Sequence, residues 1–266
     1  MIDMHTHTDF SDGKNTAEEM VLSAISLGLD TIGISDHSHD TGCDVGVPLD
    51  RREEYRSEIM RLRVKYADRI RILCGIERDY YFDDDLEYDY CIGSVHSIRT
   101  ADGDYVFMDW TPERLVEGVE KHFGGNWTAM AEAYYALEAD VVRKTGCDII
   151  GHFDLLTKFN EQGHFFDETD PGYVRAWKKA ADELLKTGKL FEINMGAISR
   201  GYRTAPYPSP EIRDYIRARG GKFILSSDSH QKETVAFRFE KWKGEADVTA
   251  VPEEITQRVR EYRNRR

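Results

Sequence analysis

Short apolar runs alternate with longer amphipathic stretches along most of this chain. Each run is continuous and bounded by turn residues, which is typical of strands buried on both faces of a parallel sheet. The runs occupy residues 1–5, 31–35, 70–77, 90–94, 148–151, 190–194 and 222–226. Strands that alternate with helices predict βα units in an α/β fold. Seven such strands predict either a TIM-like barrel with one unit fewer than usual or an open sheet.

The stretches between the runs carry recognisable helix boundaries. The sequence from Thr16 to Glu19 predicts a capping box, and Gly28 closes the helix that follows. Pro171 and Pro210 are each placed to begin a helix, a position that proline favours. Further helices are predicted over about residues 50–68, 112–122, 128–145 and 253–265.

The longest interval between two predicted strands extends over about residues 99–146. It includes three aromatic residues close together, Tyr105, Phe107 and Trp110. Segments inserted after the C-terminal end of a strand are where substrate lids usually lie. We therefore expect one barrel domain over residues 1–266, with a lid insertion at about 99–146.

Composition narrows the classes of partner. A net charge of −13 disfavours nucleic acid, because binding to its backbone requires a basic surface. A small anionic substrate remains possible if bound cations make the site locally positive. The four cysteines show no CxxC spacing, and no apolar run is long enough for a membrane span. With no basic-then-apolar leader at Met1, we expect a cytoplasmic protein without membrane contact. Composition predicts no oligomeric state.

Histidines and carboxylates cluster just after the predicted strands. His5 and His7 share one face of the first strand, so both imidazoles can reach one ion. Because the C-terminal ends of barrel strands form one face, the side chains that follow other strands should meet these two. The candidate ligands are His5, His7, Asp12, His37, Glu77, His96, His152, Asp228 and His230.

Nine ligands exceed the needs of a single ion, so the sequence predicts two or three divalent ions. Mixed nitrogen and oxygen ligands suit Zn²⁺, Mn²⁺ or Fe²⁺. Paired metals are a recurrent solution to phosphate-ester hydrolysis. Two alternatives remain: a phosphodiesterase or exonuclease acting on nucleotides, and a metal-dependent amidohydrolase. The acidic charge disfavours long DNA. The absence of a lysine at the strand ends disfavours the amidohydrolase, which usually needs a metal-bridging lysine.

The same residues closely resemble the motifs of the polymerase-and-histidinol-phosphatase (PHP) superfamily. The resemblance spans residues 1 to about 235 and rests on the first-strand histidines, Asp12-Gly13, Ser35-Asp36-His37, Glu77, Ser94-Val95-His96, Gly151-His152 and Ser227-Asp228-Ser229-His230. Chain length and the segment after His96 are similar to those of stand-alone histidinol-phosphate phosphatases. The resemblance implies a distorted (β/α)7 barrel with its metal site at the C-terminal ends of the strands.

The resemblance also implies how the ligands are distributed over three metals. His5, His7, Glu77 and Asp228 would hold the first, and Glu77 would bridge to a second held by His96 and His152. Asp12, His37 and His230 would hold the third, where some relatives have histidine in place of Asp12.

The implied activity is hydrolysis of L-histidinol phosphate to L-histidinol and phosphate by a metal-activated water, without a covalent phosphoenzyme. Glu77 would bridge the metals, Asp154 is a candidate acid for the leaving group, and Arg200 would neutralise the phosphate. Lys158 and Arg203 are further candidates for phosphate contact, because ammonium and guanidinium groups pair with phosphate oxygens. An acidic run, Asp83-Asp84-Asp85, is a candidate for attracting the substrate amine.

Overall fold

Seven parallel strands drawn from most of the chain make one sheet in the computed structural model, which describes residues 1–39, 42–82 and 85–265. Two further strands, β5 and β6, form a separate antiparallel hairpin. The strands are β1 (Ile2–Asp3), β2 (Thr31–Ile34), β3 (Arg71–Asp79), β4 (Tyr90–Ser94), β5 (Ser97–Arg99), β6 (Tyr105–Phe107), β7 (Ile149–Ile150), β8 (Leu190–Asn194) and β9 (Phe223–Ser226).

The sheet curls into a nearly closed barrel with the order β1-β2-β3-β4-β7-β8-β9. Its two outer strands approach each other at a seam, where a parallel bridge joins Thr6 to Ser229. The His7 amide donates to the Ser229 carbonyl at 2.8 Å, and the Ser229 amide donates to the His5 carbonyl at 3.3 Å. The predicted seven-stranded, TIM-like α/β architecture is confirmed.

Helices fill the connections between the strands. The Thr16 hydroxyl accepts from the Glu19 amide and the Glu19 carboxylate accepts from the Thr16 amide, so the predicted capping box is present. The helices are α1 (Ala17–Ser26), α2 (Arg52–Lys65), α3 (Pro112–Phe123), α4 (Trp127–Glu138), α5 (Val141–Thr145), α6 (Asn160–Gly163), α7 (Pro171–Leu185), α8 (Gly196–Ser199), α9 (Pro210–Arg217), α10 (Phe239–Trp242) and α11 (Glu253–Arg265). Within the three described ranges, no helix combines the length and apolar character needed to cross a membrane.

The C-terminal helix α11 covers the end of the barrel where the strands begin. Its Ile255 and Val259 are buried in a cluster with strand residues that include Ile2 and Ile149. Arg258 donates to both carboxylate oxygens of Asp148, just before β7, at 2.7 and 2.9 Å. This packing leaves the opposite end of the barrel, where the strands finish, for the candidate site.

The long interval between β4 and β7 contains the β5–β6 hairpin and helices α3, α4 and α5. The hairpin begins directly after His96, and the Met108 amide donates back to the His96 carbonyl at 2.9 Å. Helix α4 lies against α7, where the hydroxyls of Tyr135 and Tyr173 are 3.1 Å apart. The inserted segment is therefore fixed to the barrel at both its first residues and its helices.

Candidate metal centre

The structure brings all nine predicted ligands together at the C-terminal ends of the strands. Glu77 lies near the end of β3 and the other eight lie in segments that follow a strand, because parallel strands deliver their final residues to one edge. Three overlapping groups place ligand atoms within 4.8 Å of one another: His7, Asp12, His37 and His230; His5, His7 and Asp228; His37, Glu77 and His96. His152 joins them through Glu77, 2.9 Å away. Because the groups share His7 and His37, they fit a centre that binds more than one ion.

Glu77 occupies the middle of this cluster. One carboxylate oxygen, Oε2, lies 2.8 Å from His37 Nδ1, 3.2 Å from His5 Nε2 and 3.5 Å from His7 Nε2. The other, Oε1, lies 3.3 Å from His96 Nε2 and 2.9 Å from His152 Nε2. A single buried carboxylate thus faces five imidazoles, the arrangement expected of a bridging ligand.

Among the residues that the structure describes, several polar atoms of the cluster are buried and make no hydrogen bond of good geometry. They include Nε2 of His5, both ring nitrogens of His7, and Oε2 of Glu77. Buried polar atoms are costly when unpaired, and native proteins rarely leave them so. Four orphaned ligand atoms converging on one place fit divalent cations, which would satisfy all of them.

The carboxylates and the basic side chains of the centre shift one another's pKa values. Burial raises the pKa of Glu77, but His37 and His5 more than offset it, so that pKa lies well below its usual range. The pKa of Asp228 is also well below its usual range, since Arg200 and His5 outweigh burial. Burial lowers the pKa of His37, yet Glu77 raises it to about 9. Without metal, His37 therefore keeps a proton at a position where a cation would bind.

Two carboxylates that the sequence analysis did not single out orient the imidazoles. Glu192 of β8 accepts from His5 Nδ1 at 2.6 Å, and Asp79 of β3 lies 2.9 Å from His96 Nδ1. Such partners fix which ring nitrogen faces the metal. A signal was present, because a glutamate between Phe191 and Ile193 in a buried apolar strand is expected only where it has a polar partner.

A cavity opens beside the cluster, lined by ligands and by two basic residues, Arg200 and Lys158. Arg200 donates from Nη2 to Asp228 Oδ2 at 3.0 Å, and its Nη1 lies 3.1 Å from His230 Nδ1. Lys158 Nζ donates to the Asp109 carbonyl at 2.7 Å. Two of the predicted phosphate contacts therefore reach the site.

The structure does not bring Asp154 or Arg203 to the cavity wall. The Asp154 carboxylate is buried, accepts from the Ser209 amide at 2.8 Å and lies 3.7 Å from Arg203 Nη1. The Arg203 guanidinium stacks over Tyr207, 4.6 Å from the ring centroid. Their contacts are those of residues that brace the loops after β7 and β8, and their predicted catalytic and substrate-binding roles remain predictions.

Of the acidic run proposed to attract an amine, only Asp85 is described, and it lies away from the cavity. Asp83 and Asp84 fall outside the described residues. The Asp85 side chain is 92% exposed and pairs with Arg52 at 3.2 Å, and Asp85 does not line the cavity. The acidic side chain that does line it on the side of the inserted segment is Asp109, which the sequence analysis missed.

Comparison with known proteins agrees with this geometry. The PHP domain model matches residues 3–196. A Deinococcus radiodurans protein named "Probable histidinol-phosphatase" is 29% identical over 254 residues, covering 90% of each chain. A Lactococcus lactis histidinol-phosphatase is 27% identical over 257 residues, covering 86% of this chain and 84% of the relative.

Solved structures show the same fold. A Listeria monocytogenes protein proposed to be a histidinol phosphatase superposes with a TM-score of 0.77 at 21% identity, covering 91% of this chain and all of that one. Histidinol phosphate phosphatase from Lactococcus lactis, crystallised with zinc, L-histidinol and phosphate, superposes with a TM-score of 0.66 at 20% identity, covering 97% and 93%. The family model covers more than half of the sequence and its ligand motifs meet in one centre; the chain belongs to the PHP domain family.

Proposed function

We propose that this protein is a metal-dependent phosphatase that hydrolyses L-histidinol phosphate to L-histidinol and phosphate. The observation that carries the proposal is the cluster of nine metal-competent side chains beside a cavity that six of them line together with Arg200 and Lys158. The curated relatives from Deinococcus and Lactococcus, matched over most of their lengths, carry the name histidinol-phosphatase. Their activity suggests which phosphate ester this cavity accepts.

The centre would hold two or three divalent ions, with Zn²⁺, Mn²⁺ or Fe²⁺ suited to its imidazole and carboxylate ligands. Our proposed distribution gives His5, His7, Glu77 and Asp228 to one ion, Glu77, His96 and His152 to a second, and Asp12, His37 and His230 to a third. Ions bound there would activate water and offset the charge of the phosphate.

The protein's own cations supply the remaining charge. A phosphate monoester brings close to two negative charges into the cavity, and charge-assisted hydrogen bonds from guanidinium or ammonium groups are about twice as strong as neutral ones. Arg200 already faces Asp228 and His230, so its planar guanidinium can pair with phosphate oxygens beside the ligands. Lys158 Nζ, held by the Asp109 carbonyl, lines the same cavity and can also pair with them.

Hydrogen bonds from residues outside the ligand set hold the ligand side chains in place. Glu192 holds His5 Nδ1, which leaves His5 Nε2 aimed at Glu77. The Ser94 hydroxyl donates to Glu77 Oε1 at 2.7 Å and fixes the orientation of that carboxylate. Preorganised ligands need no rearrangement as charge develops in the transition state, which is the main source of electrostatic catalysis.

The test is steady-state phosphate release after metal stripping and reconstitution with Mn²⁺, Zn²⁺ or Fe²⁺. Histidinol phosphate would be compared with a panel of other phosphate monoesters and with a diester. We expect kcat/KM for histidinol phosphate to exceed the others by about a hundredfold, roughly 2.7 kcal/mol of differential transition-state binding. Equal rates on all monoesters, or preference for the diester, would contradict the substrate assignment while leaving the metal centre in place. A cytoplasmic location and the lack of nucleic-acid binding stay predictions.

A further inference from the structure

The lining of the cavity has two chemically different parts. One is formed by candidate metal ligands with Arg200, which is where a phosphate group would lie. The other comes from the end of β6 and the residues after it, which contribute Phe107, Asp109 and Trp110. Because the phosphate is covalently joined to its leaving alcohol, a substrate whose phosphate lies at the ligands must extend its alcohol part over another portion of the wall.

The wall on the inserted segment includes a stacked aromatic pair. The rings of Phe107 and Trp110 are nearly parallel, with centroids 4.0 Å apart and an interplanar angle of 12°. Trp110 is 40% exposed despite its size. Its other partner is the Arg114 guanidinium, 5.2 Å from the ring centroid. Because Phe107 and Arg114 lie against the faces of this indole, its exposed part is an apolar edge that loses little conformational freedom when another ring packs against it.

Between the two aromatic residues in sequence lies Asp109, a carboxylate on the same wall. Lys158 Nζ donates to its backbone carbonyl at 2.7 Å, whereas the distance from Nζ to Oδ2 is 3.6 Å. That second distance is an ion-pair contact longer than a hydrogen bond. Since a carboxylate can accept about four hydrogen bonds, Asp109 keeps capacity to accept from a ligand. Its side chain is 26% exposed.

Asp109 is also a stable negative charge. Burial raises the pKa of its carboxyl, but Lys158 and the neighbouring His96 more than offset burial and lower that pKa. The carboxylate is thus ionised at neutral pH, in a cavity that Arg200 and candidate metal ligands also line. A ligand that is anionic at one end and cationic at the other would match both the part of the lining with Arg200 and the Asp109 carboxylate.

The wall is placed relative to the ligands by the hairpin. Phe107 pairs with Ser97 across β5 and β6, and the Met108 amide donates to the His96 carbonyl at 2.9 Å. The segment from Phe107 to Trp110 is therefore anchored to a candidate ligand, His96. This anchoring fixes the distance between the aromatic wall and His96, as a subsite for one defined leaving group requires.

We propose that Asp109 and the stacked Phe107–Trp110 pair form the subsite for the leaving alcohol and select esters that carry an amine and a planar aromatic ring. Asp109 accepts hydrogen bonds from the ammonium group, and the aromatic pair packs against the ring. The inference rests on the proposed function, because histidinol offers both groups on one short chain.

The test compares two esters on the metal-loaded enzyme: histidinol phosphate and its analogue without the amine, 3-(imidazol-4-yl)propyl phosphate. Asp109→Asn keeps the shape of the side chain and removes its charge. We expect this variant to lower kcat/KM for histidinol phosphate at least tenfold more than for the analogue, mainly through KM. Trp110→Leu should weaken both imidazole esters relative to a plain alkyl phosphate. Asp102→Asn is the matched control, since Asp102 lies in the turn of the same hairpin and its side chain is 64% exposed.

The outcomes separate the inference from the function on which it rests. If wild-type protein releases no phosphate from histidinol phosphate, the proposed function fails and the subsite falls with it. If wild-type protein is active but Asp109→Asn lowers kcat/KM equally for both esters, Asp109 only positions Lys158 and the inference is overturned. Inhibition by L-histidinol of plain alkyl phosphate hydrolysis gives a second readout, which reports binding of the amine without turnover of histidinol phosphate. Its inhibition constant should rise at least tenfold in Asp109→Asn, and an unchanged constant would contradict the amine contact.

Discussion

Replacing Glu192 by glutamine should weaken metal binding, although this carboxylate is not among the nine candidate ligands. Glu192 accepts three hydrogen bonds, from His5 Nδ1 at 2.6 Å, from the His152 amide at 3.1 Å and from Asn194 Nδ2 at 3.1 Å. Every one of its partners is a donor. Glutamine has almost the same shape but offers one acceptor oxygen and one NH₂ group.

Neither orientation of the glutamine amide can satisfy this site. If its NH₂ group faces His5, then Nδ1 must become an acceptor and the ring proton moves to Nε2, the nitrogen needed for the metal. If its NH₂ group faces the other way, the His152 amide and Asn194 each meet a donor. The loss of one charge-assisted hydrogen bond costs about 1.5–3 kcal/mol. Loss of an outer partner of a ligating histidine typically lowers metal affinity or activity by about 10–100-fold.

Metal affinity would be measured by titrating metal-free protein with Zn²⁺ or Mn²⁺ in competition with a chelating dye. Glu192→Gln should bind about 10–100-fold more weakly than wild type, and part of its activity should return at high metal concentration. Glu211→Gln is the control, because Glu211 is exposed at the start of α9. If Glu192→Gln bound metal as tightly as the control, the orienting role of Glu192 would be refuted.

Four further substitutions or conditions probe other parts of the structure. Glu77→Gln should lower turnover by orders of magnitude with the fold intact, since one carboxylate faces five imidazoles; near-normal activity in metal-replete samples would exclude a bridging role. Arg200→Met should lower kcat/KM by about 10²–10³-fold through lost transition-state charge stabilisation, and an unchanged value in phosphate-release assays would contradict phosphate contact. The pKa of His37, which burial lowers but Glu77 raises to about 9, means that metal must displace a proton below that pH. Dye-competition affinity should therefore rise with pH up to about 9, and a flat profile from pH 6.5 would disagree. Ile255→Ala in α11 should cost about 2–5 kcal/mol of unfolding free energy in denaturant melts without changing kcat, whereas Val64→Ala at an 80% exposed position should cost almost nothing.

Much of the barrel can be predicted from the chain because its strands are buried on both faces. The continuous apolar runs at 90–94 and 190–194 predict β4 and β8 with the bounds that the structure has. The β5–β6 hairpin has no such signal, since its strands are three residues long and are separated by a polar turn. Short strands that depend on pairing with each other, rather than on a buried face, carry little information in the local pattern.

The same reasoning explains which site residues the sequence indicates. Most of the nine ligands are predictable because polar residues at or soon after the ends of buried strands must meet at one edge of the barrel. Asp79 is missed because β3 extends two residues beyond its predicted end at Glu77. Asp109 is missed because its place depends on the hairpin. Asp154 is close in sequence to His152, yet a turn over Leu155–Thr157 follows it and its carboxylate accepts from the Ser209 amide instead. Proximity along the chain does not determine which way a loop side chain points.

The seam between β1 and β9 gives the metal ligands a second consequence. In the part of the chain that the structure describes, two backbone hydrogen bonds around Thr6 and Ser229 join the segments that follow these outer strands, far fewer than a full ladder provides. His5 and Asp228, which belong to one candidate ligand group, come from opposite sides of that seam. A cation shared between them would cross-link the first strand to the last. Removing it should raise hydrogen exchange at β1 and β9 before any other strand, so that metal loss loosens the barrel along one line rather than throughout.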